Sequence, residues 1–438
     1  MEYYTTRRGF LAGSAAAALV AASGPMVSGK TSSPNEKLDI AVIGVGGRGG
    51  ANLGGVRSQN IVALCDVDAN RLAGAARGLP KAAKFADFRK MLDKMHKQID
   101  AVVVSTPDHT HAPAAAMAMR LGKHCYCEKP LTHTVGECRT LIELAAKNKL
   151  VTQMGTQIHA NSNYRRVVEI VQSGMIGSVG KVHVWHTVSY GVKGRPKPTP
   201  PVPGHLSWDL WLGPARDRPY HPSYLPGRWR GWREFGTGGI GDFGCHYMDL
   251  PFWALKLRHP TSVEAEGPAQ HAESTPRWLK IIYQFPARDG GKLAPVTMTW
   301  SDGGRKPAGL AELLAPLGPS AKKWSCGILF VGDKGMVLAN YNSLILLPKE
   351  KFATVKRPAR TIPASIGHHR EWFEACKRGG ATTCNFDYSG TLTEAVLLGV
   401  VAYRTGEKIN WDAKALKAVN CPKADDFLRK EYRKGWTL

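Results

Sequence analysis

The run Leu38-Asp39-Ile40-Ala41-Val42-Ile43 leads straight into Gly44-Val45-Gly46-Gly47-Arg48-Gly49. No other feature narrows the fold of this chain so far. The first part is a short β-branched apolar run, suited to a strand buried on both faces of a parallel sheet. The second places glycine at all three positions of G-x-G-x-x-G. Gly44 permits a tight turn, Gly46 lets the backbone approach a pyrophosphate, and Gly49 lets the next helix pack closely on the strand. That helix, entered through Gly47 and Arg48, points its N-terminal amides at the phosphates. A second apolar run, Asn60-Ile61-Val62-Ala63-Leu64-Cys65, ends in Asp66, 22 residues after Gly44. This is close to the spacing of about 20 expected for the acid that takes the ribose hydroxyls. A carboxylate there repels a 2′-phosphate, so NAD is favoured over NADP, with nearby Arg71 acting against that preference.

A third strand, Ala101-Val102-Val103-Val104, stops at Ser105-Thr106-Pro107. In doubly wound sheets the ligand lies beyond the carboxyl ends of the strands. Thr106, Pro107 and the stretch Asp108-His109-Thr110-His111 are therefore expected to line the cofactor crevice. No Cys, Asp or Glu set completes a metal site around the two histidines, and no metal is expected. A helix over 112–121 and a strand His124-Cys125-Tyr126-Cys127 follow, the strand ending in Glu128-Lys129-Pro130.

The glycine-rich turn, Thr106-Pro107 with His111, and Glu128-Lys129-Pro130 together resemble the Gfo/Idh/MocA oxidoreductase family, across about residues 37–412. The resemblance implies an α/β Rossmann domain with a parallel, doubly wound sheet. It also implies an α+β C-terminal domain on a large, open, mainly antiparallel sheet. The expected boundaries are 37–152 for the NAD-binding domain and 153–412 for a substrate and oligomerisation domain, with 413–438 as a C-terminal tail. By the same resemblance Lys129 stands where nicotinamide and substrate meet. Glu128 and Gln157 are expected to border the cofactor.

The second half carries strand-like runs at 181–189, 262–266, 278–285, 295–300, 327–331 and 343–347, a series that suggests mainly antiparallel pairing. Helical patterns open at Asn163-Tyr164-Arg165-Arg166 and recur near 369–377 and 389–404. Excursions at 192–204, 305–323 and 349–360 read as loops. Within Gly238-Gly239-Ile240-Gly241-Asp242-Phe243-Gly244-Cys245-His246, the acid and the histidine are at i and i+4, one face of a helix. This is similar to the family's Asp-x-x-x-His element, and the resemblance gives Lys129, Asp242 and His246 as the catalytic set. His246 is the candidate general base, since imidazole titrates near neutrality. Lys129 polarises or helps deprotonate a substrate hydroxyl, and Asp242 orients His246 or binds a hydroxyl. Arg166, Trp208, Tyr224, Trp229 and Trp232 are substrate candidates, because flat rings beside hydrogen-bonding groups suit a sugar.

Residues 1–30 read as a twin-arginine signal: Arg7-Arg8-Gly9-Phe10-Leu11, an alanine-rich apolar run to Ala22, then small residues and Pro25. The expected location is periplasmic or otherwise exported. No later run reaches 18 apolar residues, so no transmembrane segment is expected in the mature chain. The 438 residues are 43% hydrophobic and 21% charged, which excludes global disorder, and nine cysteines are too few for a disulfide scaffold. Lys plus Arg number 59 against 35 Asp plus Glu, a net +24 that favours anionic partners. No nucleic-acid-binding motif accompanies that charge; an acidic carbohydrate or envelope surface fits it, and so does a generally basic proteome or a gain in solubility. The resemblance implies a homo-oligomer, dimer or tetramer. The expected activity is an exported oxidoreductase whose tightly held NAD(H) oxidises a sugar or cyclitol hydroxyl. The alternative is a redox-neutral glycosidase related to family 109, which oxidises C3, eliminates the aglycone, adds water and reduces the ketone again. A non-catalytic glycan sensor is the third reading.

Overall fold

A computed structural model describes residues 36–438, and the expected signal over 1–30 lies outside the described residues. The opening apolar run forms β1 (Asp39–Ile43), followed by β2 (Asn60–Cys65), β3 (Ala83–Phe85), β4 (Ala101–Val104), β5 (His124–Cys127) and β6 (Thr152–Met154). They make one all-parallel sheet in the order β3-β2-β1-β4-β5-β6. The order reverses between β1 and β4, and a crevice opens at such a switch point. Ile40, Val42, Val102, Val103 and Val104 have no exposed surface, as strands covered by helices on both faces require.

Side-chain caps fix the helix starts on this sheet. Asp68 and Asp87 each accept backbone N–H bonds at the head of a helix, and Thr134 with Glu137 forms a capping box before Val135–Lys147. The helix after β4 runs over Asp108–Arg120, four residues earlier than expected, and carries Pro113 inside it. Tertiary contacts hold its first turn despite the proline. The His111 ring spans the carbonyls of Pro130 and Thr106 at 2.8 Å each, and His109 faces those of Trp211 and Phe235.

The second sheet contains β7 (Val179–Trp185), β8 (Ser262–Glu266), β9 (Lys280–Phe285), β10 (Val296–Ser301), β11 (Gly327–Gly332), β12 (Met336–Ala339), β13 (Leu344–Leu347), β14 (Ile409–Asp412) and β15 (Lys417–Ala418). Its order is β13-β12-β11-β7-β10-β9-β8-β14-β15, antiparallel throughout except for β7 beside β10. β7 ends four residues before the expected 189. There His186 Nδ1 accepts the N–H of Val188, a local bond that replaces the ladder.

Helix Phe386–Thr405 is almost wholly buried and packs against helices Val135–Lys147 and Gly238–Tyr247. One continuous apolar core therefore runs from Val102 and Met154 of the first sheet to Val182 and Trp300 of the second. Within the expected excursion at 305–323, the chain is helical from Leu310 onward rather than open. Its Leu310, Leu314 and Leu317, with Trp324 just beyond, cover Trp185, Leu329 and Leu338 on the far face of the second sheet. Among the described residues no helix is long and apolar enough to cross a membrane.

Candidate active site

The site is built outward from the first turn. Gly44 has φ +81°, and a side chain there would press on the Ser105 carbonyl at 2.7 Å. A Cβ on Gly49 would overlap the Gly44 carbonyl oxygen, so this position sets how closely helix Arg48–Val56 approaches β1. Asp66 ends β2 with both oxygens held: Oδ2 accepts from Val45 N and Oδ1 from Asp68 N, each at 2.9 Å. Burial raises its pKa, against the two N–H groups and Arg71. Arg71 lies over Gly46 and pairs with Asp68 at 3.4 Å.

Beyond β5, Oε1 of Glu128 accepts from Asn52 at 2.9 Å and Gln157 at 2.8 Å, with Arg48 Nε at 3.3 Å. Lys129 donates to the backbone carbonyl of Asp242 at 2.8 Å and to its Oδ1. The other oxygen, Oδ2, accepts from the Tyr190 hydroxyl at 2.6 Å and has Arg230 Nε at 3.1 Å. Burial opposes ionisation of Asp242, but Lys129 and Arg230 outweigh it and hold the carboxyl far below the usual range. One turn on, His246 Nδ1 is buried without a partner. Burial, then the Lys129 charge, holds its pKa well below that of an ordinary imidazole. The Asp242 carboxylate is thus taken by Lys129, Tyr190 and Arg230, and it does not orient His246 through Nδ1.

A single cleft of about 690 Å³ joins these groups. Gly44, Gly46, Gly47, Arg48, Asp66, Thr106, Pro107, His111, Glu128, Lys129, Gln157 and His246 all line it. Gly49 lies behind the turn, and Asp242 borders the cleft through Lys129. The hydroxyl of Thr106 is buried there without a partner.

The roof comes from the segment between β7 and helix Gly238–Tyr247. It is laced to the first domain where Ala69 N donates to His205 O at 2.8 Å and Ser207 N to Val67 O at 2.9 Å. Leu206, Trp211, Leu225 and Trp229 hang from it into the cleft. Of the five substrate candidates, Trp229 reaches this space, with Arg230 stacked over its ring at 4.2 Å.

The other four are placed elsewhere. Trp208 stacks on Trp211 at 4.8 Å, while Tyr224 and Trp232 pack on each other and are 2% and 1% exposed. These rings are the roof's own core, with Phe235 and Leu212. Arg166 pairs with Glu169 and donates to the Pro358 carbonyl at 2.7 Å, fastening the loop after β13. Tyr190 and Arg230 complete the carboxylate's surroundings and follow no spacing rule from Asp242. The adjoining tryptophans were the only local signal at Arg230.

The donors and shape fit a dinucleotide. The positive-φ turn, the pinned Asp66 and the orphaned Thr106 hydroxyl lie in series along one crevice. Two models of one family match successive stretches that together cover more than half of the chain. Its "Oxidoreductase family, NAD-binding Rossmann fold" matches residues 38–156, and its "Oxidoreductase family, C-terminal alpha/beta domain" matches residues 160–296. The chain is 32% identical over 193 residues to a glycosyl hydrolase family 109 protein of Shewanella pealeana, a stretch covering 39% of this chain and 40% of that protein. It is 30% identical over 155 residues to an inositol 2-dehydrogenase of Salmonella paratyphi B, covering 34% and 46%. The chain thus spans less than half the length of these two curated relatives. A solved levoglucosan dehydrogenase, in complex with NADH and levoglucosan, superposes with a TM-score of 0.58 at 17% identity, covering 86% of this chain and 99% of that one.

Proposed function

Because this chain belongs to the Gfo/Idh/MocA oxidoreductase family, we propose that it oxidises a hydroxyl of a sugar or cyclitol with NAD(H) held in the roofed cleft. One observation carries this reading: Lys129, the ionised Asp242 and the unprotonated His246 converge at the inner end of the dinucleotide-shaped crevice. A bound nicotinamide supplies the acceptor and donor of hydride. The chain's own residues position the substrate and move its proton. Lys129, anchored by Asp242, presents a cation to the substrate oxygen, and His246, held neutral, accepts the hydroxyl proton. Tyr190 and Arg230 keep Asp242 ionised, so Lys129 keeps its carboxylate partner and its direction.

NAD is preferred to NADP because the Asp66 carboxylate, pinned by two backbone N–H groups, meets the ribose. The lacing of the roof to Val67–Ala69 favours slow release of the dinucleotide. That retention suits export through the twin-arginine route, which the N-terminal sequence supports. A redox-neutral glycosidase is the second reading, favoured by the family 109 relative.

Incubation with NAD and a panel of aldoses, sugar acids, cyclitols and aryl glycosides tests the proposal. Substrate-dependent NADH formation, lost in Lys129→Met, is expected. Release of an aryl group without net NADH selects the glycosidase. Neither signal with any compound overturns the oxidoreductase reading.

A further inference from the structure

Beyond β15 the chain returns to the cleft from outside. Ala424 and Leu428 have no exposed surface, and Arg404 lies over the Phe427 ring at 3.9 Å, which fixes this part on helix Phe386–Thr405. A Cβ on Gly136 would press on the Leu428 carbonyl at 3.2 Å, so the chain then runs directly on the first turn of helix Val135–Lys147. Lys430 pairs there with the buried Glu137 at 3.0 Å and donates to the His109 carbonyl at 3.3 Å. The Tyr432 hydroxyl donates to Glu137 at 2.6 Å.

Arg433 next meets the roof. Its backbone N–H donates to the Pro214 carbonyl at 3.2 Å, Nε to the Gly213 carbonyl at 2.6 Å and Nη2 to the Asp209 carbonyl at 2.5 Å. Nη1 reaches the carboxylates of Asp209 at 2.6 Å and Asp217 at 2.7 Å. Hydrogen bonds between ionised partners are about twice as strong as neutral ones. Three residues on, Trp436 packs against Phe88 at 5.8 Å, with Arg89 over its ring at 4.1 Å. Arg89 also donates to the Gly435 carbonyl at 3.1 Å. The same short stretch thus holds the first domain at Glu137 and Phe88 and the roof at Asp209 to Asp217.

Both of these attachments lie against the cleft wall. Helix Trp208–Leu212 carries Asp209 on Arg433 and turns Leu210 and Trp211 into the cleft, and Phe88 lines the cleft as well. None of the described residues 429–438 lines it. A dinucleotide leaves a roofed crevice when the roof lifts. Lifting helix Trp208–Leu212 away from the first domain breaks the Arg433 bonds or pulls Trp436 off Phe88. We infer that residues 429–436 are a strap that holds the roof over the cleft through Arg433 and sets how fast the dinucleotide leaves. The inference rests on the reading of this cleft as an NAD(H) site.

The test loads the full chain with NADH, mixes it with excess NAD in a stopped-flow cell, and follows the loss of bound-NADH fluorescence. Arg433→Met should speed release about tenfold, since it removes the charge-assisted bonds and no contact to the dinucleotide. A second variant joins Asp209→Asn to Asp217→Asn. These side chains are 74% and 82% exposed, so the fold does not depend on them, and release about threefold faster is expected. Release from the double variant at the wild-type rate overturns the strap, whatever Arg433→Met does, and leaves the cleft reading standing. So does a fall in the Tm of Arg433→Met with unchanged release. A wild-type chain that binds no NADH overturns the cleft reading, and the strap with it.

Discussion

At the scale of single residues, the Asp242 carboxylate organises the site. Two cations and a phenol converge on its two oxygens, so it serves Lys129 as an anchor more than it serves substrate as a ligand. Lys129→Met should lower kcat by about 10³-fold while dinucleotide affinity changes little, since the lost contact is made to the reacting centre. Tyr190→Phe removes one donor and leaves both cations, and a fall of about tenfold in kcat is expected, read by steady-state kinetics. The His246 pKa is lowered, so the base form persists to lower pH than in an ordinary imidazole. The oxidative kcat/KM should stay level from pH 8 to about 6, whereas a base titrating near 6.5 would lose most of its rate there. Lys129, Asp242 and His246 were legible because each sits in a short motif. Tyr190 and Arg230 were not, because only the fold brings residues 52 and 12 positions before Asp242 onto its carboxylate. The rings of Trp208, Tyr224 and Trp232 were misread because an aromatic run looks alike as sugar platform and as core.

At the scale of elements, the first sheet follows from its apolar runs, since a strand buried on both faces writes itself as unbroken Val, Ile and Ala. Six strands of the second sheet lie within a few residues of the expected ranges. The short β3, β12, β14 and β15, of two to four residues, are too brief to carry a period and owe their place to neighbours. The roof was legible only as a Pro- and Gly-rich loop, because the backbone bonds that tie it to Val67 and Ala69 join residues far apart in sequence. Trp211 holds it together, stacked among Trp208, Phe235 and His109 and 7% exposed. Trp211→Ala should cost about 3–5 kcal/mol of stability, seen as a lower Tm. It should also speed dinucleotide release in stopped-flow displacement. A lower Tm with unchanged release would show that the roof does not retain the dinucleotide.

At the scale of the whole molecule, charge and buried histidines act in the same direction. His109, His133, His246 and His368 are all shifted down by burial, the last to about 3. Their unfolded forms take up protons near 6.5, so the unfolded state binds more protons below that pH and stability falls with it. Protonation also adds to a chain already at +24, which raises self-repulsion. The Tm should therefore drop steadily between pH 7 and 5 in differential scanning fluorimetry, where stabilisation on acidification would contradict the buried neutral state. The central claim concerns the cleft that joins the two halves of this molecule. It is tested most directly by purifying the protein without added nucleotide, denaturing it, and quantifying released NAD(H) and NADP(H) against protein by mass spectrometry. The account predicts close to one NAD(H) per chain and little NADP(H). A chain that emerges empty and then fails to bind added NAD would contradict it.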